Sequence, residues 1–246
     1  MATVLKLGGS VITRKDEPET IDERALERAA DAVATADDEL VVVHGGGSFG
    51  HHHADAHGVT TTDGTTDAAA VRAIHGAMQR LNAAVVEALA AADVPAVPVH
   101  PLSVASRSSD DELDLPPGSV RRLLGEGFVP VLHGDVVAHA GAGATVVSGD
   151  ELVIGLARAI EADRVGLCSA VPGVLDADEE VIDRIDDFDA VAAVLGASDA
   201  TDVTGGMAAK VRELLALSVP ASIFDLDGLK PFLAGERPGT VVEGDG

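Results

Sequence analysis

Residues 39–51 read ELVVVHGGGSFGH. From Glu39 to His44 the run is almost wholly apolar and β-branched, and it stops abruptly at Gly45-Gly46-Gly47. A strand that is apolar on both faces has to be covered on both faces, the condition of a parallel strand inside an α/β sheet. The same grammar opens the chain, where Thr3 to Leu7 is a short β-rich run closed by Gly8-Gly9-Ser10.

Between these two runs, Thr20-Ile21-Asp22-Glu23 has the form of a capping box and predicts a helix reaching to about Ala36. After the second run comes a Thr- and Gly-rich loop from Val59 to Thr66. A long helix over Asp67 to Ala92 follows, with Val71, Ile74, Met78, Leu81 and Val85 at helical spacing. Short strands are predicted at Pro95 to Val99 and Phe128 to Leu132, with a helix over Gly118 to Leu124 between them. Ser148-Gly149-Asp150-Glu151 is a second capping box, opening a helix to about Ala162. Further strands are expected at Arg164 to Cys168, Ala221 to Phe224 and Thr240 to Val242, and helices at Phe188 to Leu195 and Thr204 to Leu217. Strands alternating with helices call for a mainly parallel sheet with helices on both faces, whose ligands sit beyond the carboxyl ends of the strands.

At 246 residues the chain is expected to form a single α/β unit. Its formal net charge of −24 argues against nucleic acid or an anionic membrane as partner, since both would be repelled at long range. With 46% hydrophobic residues and regular periodicity the acidity does not signal disorder. It fits a protein of concentrated salt, where the Debye length falls to about 3 Å at 1 M. The single cysteine, Cys168, precludes an internal disulfide. No apolar run approaches the roughly 18 residues of a membrane span and the first residues lack the pattern of a signal peptide, so a cytoplasmic protein is expected.

Only four lysines, Lys6, Lys15, Lys210 and Lys230, stand against thirteen arginines. Lys6 lies inside an apolar run and Lys210 follows a Gly-Gly turn, so neither reads as an ordinary surface lysine. Three glycine clusters, Gly8-Gly9, Gly45 to Gly50 and Gly205-Gly206, stand at strand ends or helix starts. There the backbone can approach a phosphate closely and unpaired N–H groups can receive it. Gly45, Gly47 and Gly50 also satisfy G-x-G-x-x-G. That fingerprint should open a helix at once and be followed about 20 residues on by an acid ending a strand. Here it leads into His51-His52-His53 and a Thr-rich loop. Neither a P-loop nor the protein-kinase signatures occur.

VLKLGGS (4–10), VVHGGGSFGH (42–51), VSGDEL (147–152) and DVTGGMAAK (202–210), in this order over the whole chain, resemble the signatures of the amino-acid-kinase family. The resemblance implies a three-layer αβα sandwich around a mainly parallel sheet, commonly dimeric, that transfers the γ-phosphoryl group of ATP with Mg²⁺ held mainly through the nucleotide. It implies one unit over 1–246, with about 1–145 on the acceptor-phosphate side and about 146–246 on the nucleotide side. His51 directly after GGGSFG, and HGDVV (133–137) paired with DVTGGM, resemble the branch of the family whose acceptor is isopentenyl phosphate, an alternative route to isopentenyl diphosphate.

The resemblance also distributes roles. Lys6 would bridge donor and acceptor phosphates, with Asp150 orienting it. Lys15 and Lys210 would hold the nucleotide phosphates, together with Gly9, Ser10 and Gly206. Amides around Gly8, Gly46, Gly47, Gly50 and Gly149 would cradle the acceptor, and His51 would bond its phosphate as imidazolium, its pKa raised by the nearby anions. An acceptor phosphate already offers a nucleophilic oxygen, so positive charge and positioning carry the chemistry, and no general base is required.

Ile74 and Met78 are candidates to line the acceptor tail. Five carbons at about 0.8 kcal/mol per buried methylene give only roughly 4 kcal/mol, so such a pocket selects mainly by shape. The chain has five Phe and neither Tyr nor Trp to build it. Asp150 is equally accounted for as a helix-start residue. The run His51 to His53, with Asp55 and His57, raises a metal site, but adjacent histidines diverge on most backbones and nothing completes a ligand set, so no metal ligand is assigned. Three alternatives stay open: a family kinase for another small phosphate, phosphonate or carboxylate, a non-catalytic nucleotide-binding protein of the same fold, and a nicotinamide-dependent oxidoreductase.

Overall fold

The structure is a computed structural model and describes residues 1–198 and 206–244. The chain opens with β1 (Ala2–Leu7), a helical turn α1 (Gly9–Ile12), α2 (Glu23–Val33), β2 (Glu39–His44), α3 (Gly47–His57), α4 (Ala68–Ala91) and β3 (Ala96–Pro98). Then come α5 (Pro101–Val104), β4 (Ser106–Arg107), β5 (Leu113–Asp114), α6 (Gly118–Gly125), β6 (Val129–His133), β7 (Asp135–His139) and β8 (Gly143–Val147). The last part holds α7 (Gly149–Ile160), β9 (Arg164–Cys168), β10 (Arg184–Ile185), α8 (Phe188–Ser198), α9 (Gly206–Leu215), β11 (Ala221–Phe224), α10 (Leu229–Leu233) and β12 (Thr240–Val242).

Eight strands form one sheet in the order β10-β12-β11-β9-β1-β2-β6-β3, parallel throughout except where β11 meets β12. Side chains alternate across it, as a two-residue period requires. Val4, Val41 and Val43 point into a core shared with Leu152 and Leu156 of α7 and Val211 and Leu214 of α9. Leu5, Leu7 and Val42 point the other way, onto Leu26 of α2, Leu81 and Val85 of α4 and Phe232 of α10. The result is the expected αβα sandwich. Among the described residues no helix is long and apolar enough to cross a membrane.

A second, four-stranded sheet, β5-β4-β7-β8, was not anticipated. Its strands are short and partly polar, and β4 pairs with β7 across some 30 residues of chain. Two local readings are corrected. The cap of α2 is Asp22, whose carboxylate accepts from Ala25 N, while the Thr20 hydroxyl donates to Pro18 O; the helix therefore starts two residues later than a Thr20 box requires and ends at Val33. And α3 does begin inside the glycine run, so the G-x-G-x-x-G segment opens a helix after all. What still sets it apart from a dinucleotide site is its sequel, a second helix with no strand before Ala96. The start of the expected helix at Thr204, and Gly205, lie outside the described residues.

Candidate active site

The strands β9, β1, β2 and β6 end side by side, and their exits are stitched together. Gly8 N donates to Cys168 O (2.8 Å), Gly45 N to Leu7 O (2.9 Å) and Gly134 N to His44 O (3.0 Å). Each bond extends the parallel ladder by one residue and fixes where the following turn begins. Gly8 therefore spends its own N–H on the sheet and cannot offer it to an acceptor. The turns after β1 and β2 touch backbone to backbone: a methyl placed on Gly9 would stand 2.2 Å from Gly47 N, and one on Gly45 2.6 Å from Gly9 N. Ser48 N donates to Thr13 Oγ1 (3.0 Å), and Phe49 N and Gly50 N return to Gly46 O. Among the described residues the N–H groups of Gly46 and Gly47 donate to no protein acceptor, as expected of donors at a helix start.

Lys6, the penultimate residue of β1, sends its ammonium along this edge. Its Nζ lies 2.6 Å from Asp150 Oδ1, with both side chains largely withdrawn from solvent. The close passage depends on Gly149, where a methyl would stand 3.3 Å from Lys6 Cε and 3.7 Å from Gly45 Cα. Asp150 is placed by the capping box that the sequence announces. Ser148 Oγ accepts from Glu151 N and Glu151 Oε2 accepts from Ser148 N. Glu151 is in turn gripped from the second sheet by the buried Arg107, whose Nη2 donates to Glu151 Oε1 at 2.7 Å.

Toward the other side, Asp150, Val153, Ile154, Leu167, Lys210, Glu213 and Leu214 line a narrow crevice between α7 and α9. Lys210 and Glu213 stand one turn apart on α9. Partial burial, and then the carboxylates of Asp150 and Glu151, push the Glu213 carboxyl above the usual range, while the Lys6 and Lys210 ammoniums oppose the shift. A carboxyl raised in this way beside like charges marks Glu213 as a candidate residue of the site.

Of the remaining candidates, Ser10 is exposed at the start of α1 and Gly206 opens α9 with φ of 60°. Lys15 is exposed in the loop 14–19, which is tied over the start of α3 by Glu19 N to Ser48 O (3.2 Å) and Thr20 N to Ser48 Oγ (3.3 Å). His51 is exposed on α3, four residues after Gly47, while Gly50 is buried. His53 is fixed by Glu19 Oε1, 2.5 Å from its Nε2; Glu19, which also accepts from Arg80, is held below the usual carboxylate range by these two bonds. The two tail candidates separate. Ile74 packs with Val59 and Val136, ringed by Val71, Leu102 and Val146, whereas Met78 lies under the turn with its Sδ 2.8 Å from where a methyl on Gly50 would stand.

Sequence reasoning missed a buried polar group beneath the turn: His44, Asn82, His133 and Asp135. Asp135 accepts from His75 Nδ1 (2.9 Å) and from Val136 N, and the contact holds the His75 imidazole above its ordinary pKa despite partial burial. The signal was the dipeptide His-Gly at 44–45 and again at 133–134, each closing an apolar run.

Residues 1–223 match the model of the amino acid kinase family. Over 98% of both chains the sequence is 62% identical to the isopentenyl phosphate kinase of Haloferax volcanii, and it is 32% identical, over 99% of both, to that of Methanocaldococcus jannaschii. A solved structure of isopentenyl phosphate kinase superimposes with a TM-score of 0.82 at 30% identity, covering 98% of each chain.

Proposed function

From the premise that this chain belongs to the amino acid kinase family, we infer that it is an ATP-dependent isopentenyl phosphate kinase, transferring the γ-phosphoryl group of ATP to isopentenyl phosphate to give isopentenyl diphosphate and ADP. The observation that carries the reading is the place of Lys6. Its ammonium, held by Asp150, stands at the strand edge where the turn after β2 leaves the N–H groups of Gly46 and Gly47 open.

In the reaction an oxygen of the acceptor phosphate attacks the γ-phosphorus, the bond from that phosphorus to the β-bridging oxygen breaks, and ADP leaves. Two anions must be brought together, so the barrier falls when their charge is met by fixed donors rather than by water. We propose that Gly46 and Gly47, with Gly50 and Gly149 shaping the walls and His51 at the rim, receive the acceptor phosphate, with Gly8 serving only as backbone anchor. Lys6 would then lie between the two phosphates. Lys210, Gly206, Gly9, Ser10 and the loop lysine Lys15 would hold the nucleotide, so that residues 1–145 form mainly the acceptor side and 146–246 the nucleotide side.

The apolar cluster around Ile74, Val136 and Val146 is the place for the five-carbon tail, and Met78 supports the turn from below. Magnesium belongs to the same proposal. A hard divalent cation takes oxygen ligands, and of the two carboxylates lining the α7–α9 crevice Asp150 already accepts from Lys6. The donor set therefore fits an ion that would be carried in by the triphosphate and would neutralise phosphate charge there, with Glu213 the lining carboxylate not tied to Lys6. The family's common dimer and a cytoplasmic, salt-rich setting complete the reading.

A coupled ADP-release assay in molar KCl tests it, offering isopentenyl phosphate, other alkyl phosphates, amino acids and UMP. Turnover should be greatest on isopentenyl phosphate. Activity on UMP or an amino acid, with none on isopentenyl phosphate, rejects the substrate.

A further inference from the structure

Two neighbouring parallel strands, β2 and β6, end alike. His44 and His133 are in register, both rings are buried, and they stack with centroids 5.5 Å apart and planes 27° from parallel. Each ring turns its Nδ1 back on the carbonyl of the next residue, His44 on Gly45 O at 3.1 Å and His133 on Gly134 O at 2.9 Å. A carbonyl oxygen can only accept, so in both rings Nδ1 carries the hydrogen. Each Nε2 is then free to accept, and each faces a donor: Asn82 Nδ2 at 3.1 Å for His44, and His100 Nδ1 at 2.8 Å for His133. Burial favours the neutral rings, with His44 pushed down to about 4 and His133 to about 3. Asn82 Oδ1 is left without a partner, the cost of aiming the amide N–H at the ring.

In a planar trans peptide the carbonyl and the following N–H point in opposite directions. A hydrogen bond that draws Gly45 O toward the His44 ring therefore turns Gly46 N–H away from it, and Gly134 O is anchored likewise. A methyl on Gly134 would stand 3.4 Å from Val147 O, 3.5 Å from Gly149 N and 3.9 Å from Gly46 N. The space beside Gly134 is thus bounded by backbone alone, the Val147 carbonyl on one side and the nitrogens of Gly149 and Gly46 on the other.

We propose that His44 and His133 are positioning residues of the acceptor turn: as a stacked pair of Nδ1–H imidazoles they lock the Gly45 and Gly134 carbonyls inward, so that Gly46 N–H stands ready for the acceptor phosphate before it arrives. The proposal rests on the reading that the phosphate docks at this turn. Asn82 and His100 complete the device by satisfying Nε2, which leaves Nδ1 as the protonated nitrogen. Preset donors spare the reaction the cost of orienting them, which is why the pair would act on acceptor binding and not on the nucleotide.

The first measurement reads the wild-type rings themselves: long-range proton–nitrogen correlation spectra of the ¹⁵N-histidine-labelled protein between pH 6 and 8. Two rings, assigned by their loss in His44→Asn and His133→Asn, should carry the hydrogen on Nδ1 and leave Nε2 bare. Finding Nε2–H on either overturns the proposal, whether or not the protein proves active on isopentenyl phosphate. The second measurement is kinetic. His44→Leu, which fills the space without a donor, should raise KM for isopentenyl phosphate about tenfold or more, with KM for ATP within about twofold. His44→Asn, whose amide nitrogen replaces Nδ1, should recover most of that loss. Equal shifts in both KM values, no shift in either, or no difference between Leu and Asn would each refute it. A wild-type protein inert toward isopentenyl phosphate would instead refute the substrate reading, and the spectra would still decide this inference.

Discussion

The ammonium of Lys6 sits 2.6 Å from a carboxylate oxygen of Asp150, a residue 144 positions away in the chain. The pair is largely withdrawn from water, with 12% and 14% of the side chains exposed, so the geometry is not the loose pairing of a surface salt bridge. Asp150 fixes the lysine along the strand edge, at the cost of sharing its charge.

Removing the anchor and removing the cation should therefore differ in degree. Asp150→Asn is expected to lower kcat about 10- to 100-fold, with a smaller change in KM for ATP. Lys6→Met and Lys210→Met should lower it by about 10²- to 10³-fold or more. Steady-state kinetics decide the matter, and near-normal turnover in both lysine variants would remove the mechanism.

Two glycines should fail in different ways. At Gly9 the added methyl meets backbone at 2.2 Å, which can only be relieved by moving a turn, so Gly9→Ala should cost on the order of 1–3 kcal/mol in a denaturant titration. At Gly149 it meets the flexible stem of Lys6 at 3.3 Å. Gly149→Ala should lower kcat about tenfold with the stability nearly unchanged. A large loss of stability at 149, or none at 9, would contradict the packing described.

Stability should respond to pH through the buried imidazoles. His44 and His133 have folded pKa values depressed to about 4 and about 3, so their contribution is present above the unfolded value of about 6.5 and is lost as pH falls toward those numbers. His75, raised by Asp135, behaves oppositely: its contribution is present below about 6.5 and lost as pH rises through its folded value. Unfolding free energies at about pH 5 and 6 should give a slope that drops by roughly 1.4 kcal/mol per pH unit in His44→Asn, one proton's worth. An unchanged slope would mean that the ring is not held neutral.

With 41 acidic against 17 basic side chains, self-repulsion should dominate in dilute salt. Raising KCl from about 0.1 M to about 2 M should lift the thermal midpoint by roughly 10 °C or more as the Debye length contracts from about 10 Å to under 3 Å. A midpoint that stays flat or falls would speak against the salt-adapted reading.

The sheet was legible where apolar runs are closed by turn residues. The segments 39–44, 164–168, 221–224 and 240–242 stand in the structure with the bounds the sequence suggests. So was the start of α7, because its capping box is a local device. The second sheet was not, since the burial of Arg107 and Asp135 depends on partners far along the chain, Glu151 for one and His75 for the other. At the site, Lys6, Asp150 and the glycine turns could be picked out by chemical type. Which residue of the α4 stripe reaches the tail could not. Ile74 and Met78 share a helix face about 6 Å apart along its axis, and that distance carries them into different apolar clusters. The paired His-Gly ends gain meaning only from the register of β2 against β6.

The contact between the turns after β1 and β2 leaves neither of them room to drift. Mutational tolerance in packed interiors comes from compensation, in which a neighbour shrinks as a residue grows. Gly9, Gly45 and Gly47 already have the smallest side chain available, so a gain of bulk at one cannot be offset at another. A library randomised at these three codons and selected for function should thus return to the starting triplet, and designers who wish to alter the acceptor must work from the walls around the turn.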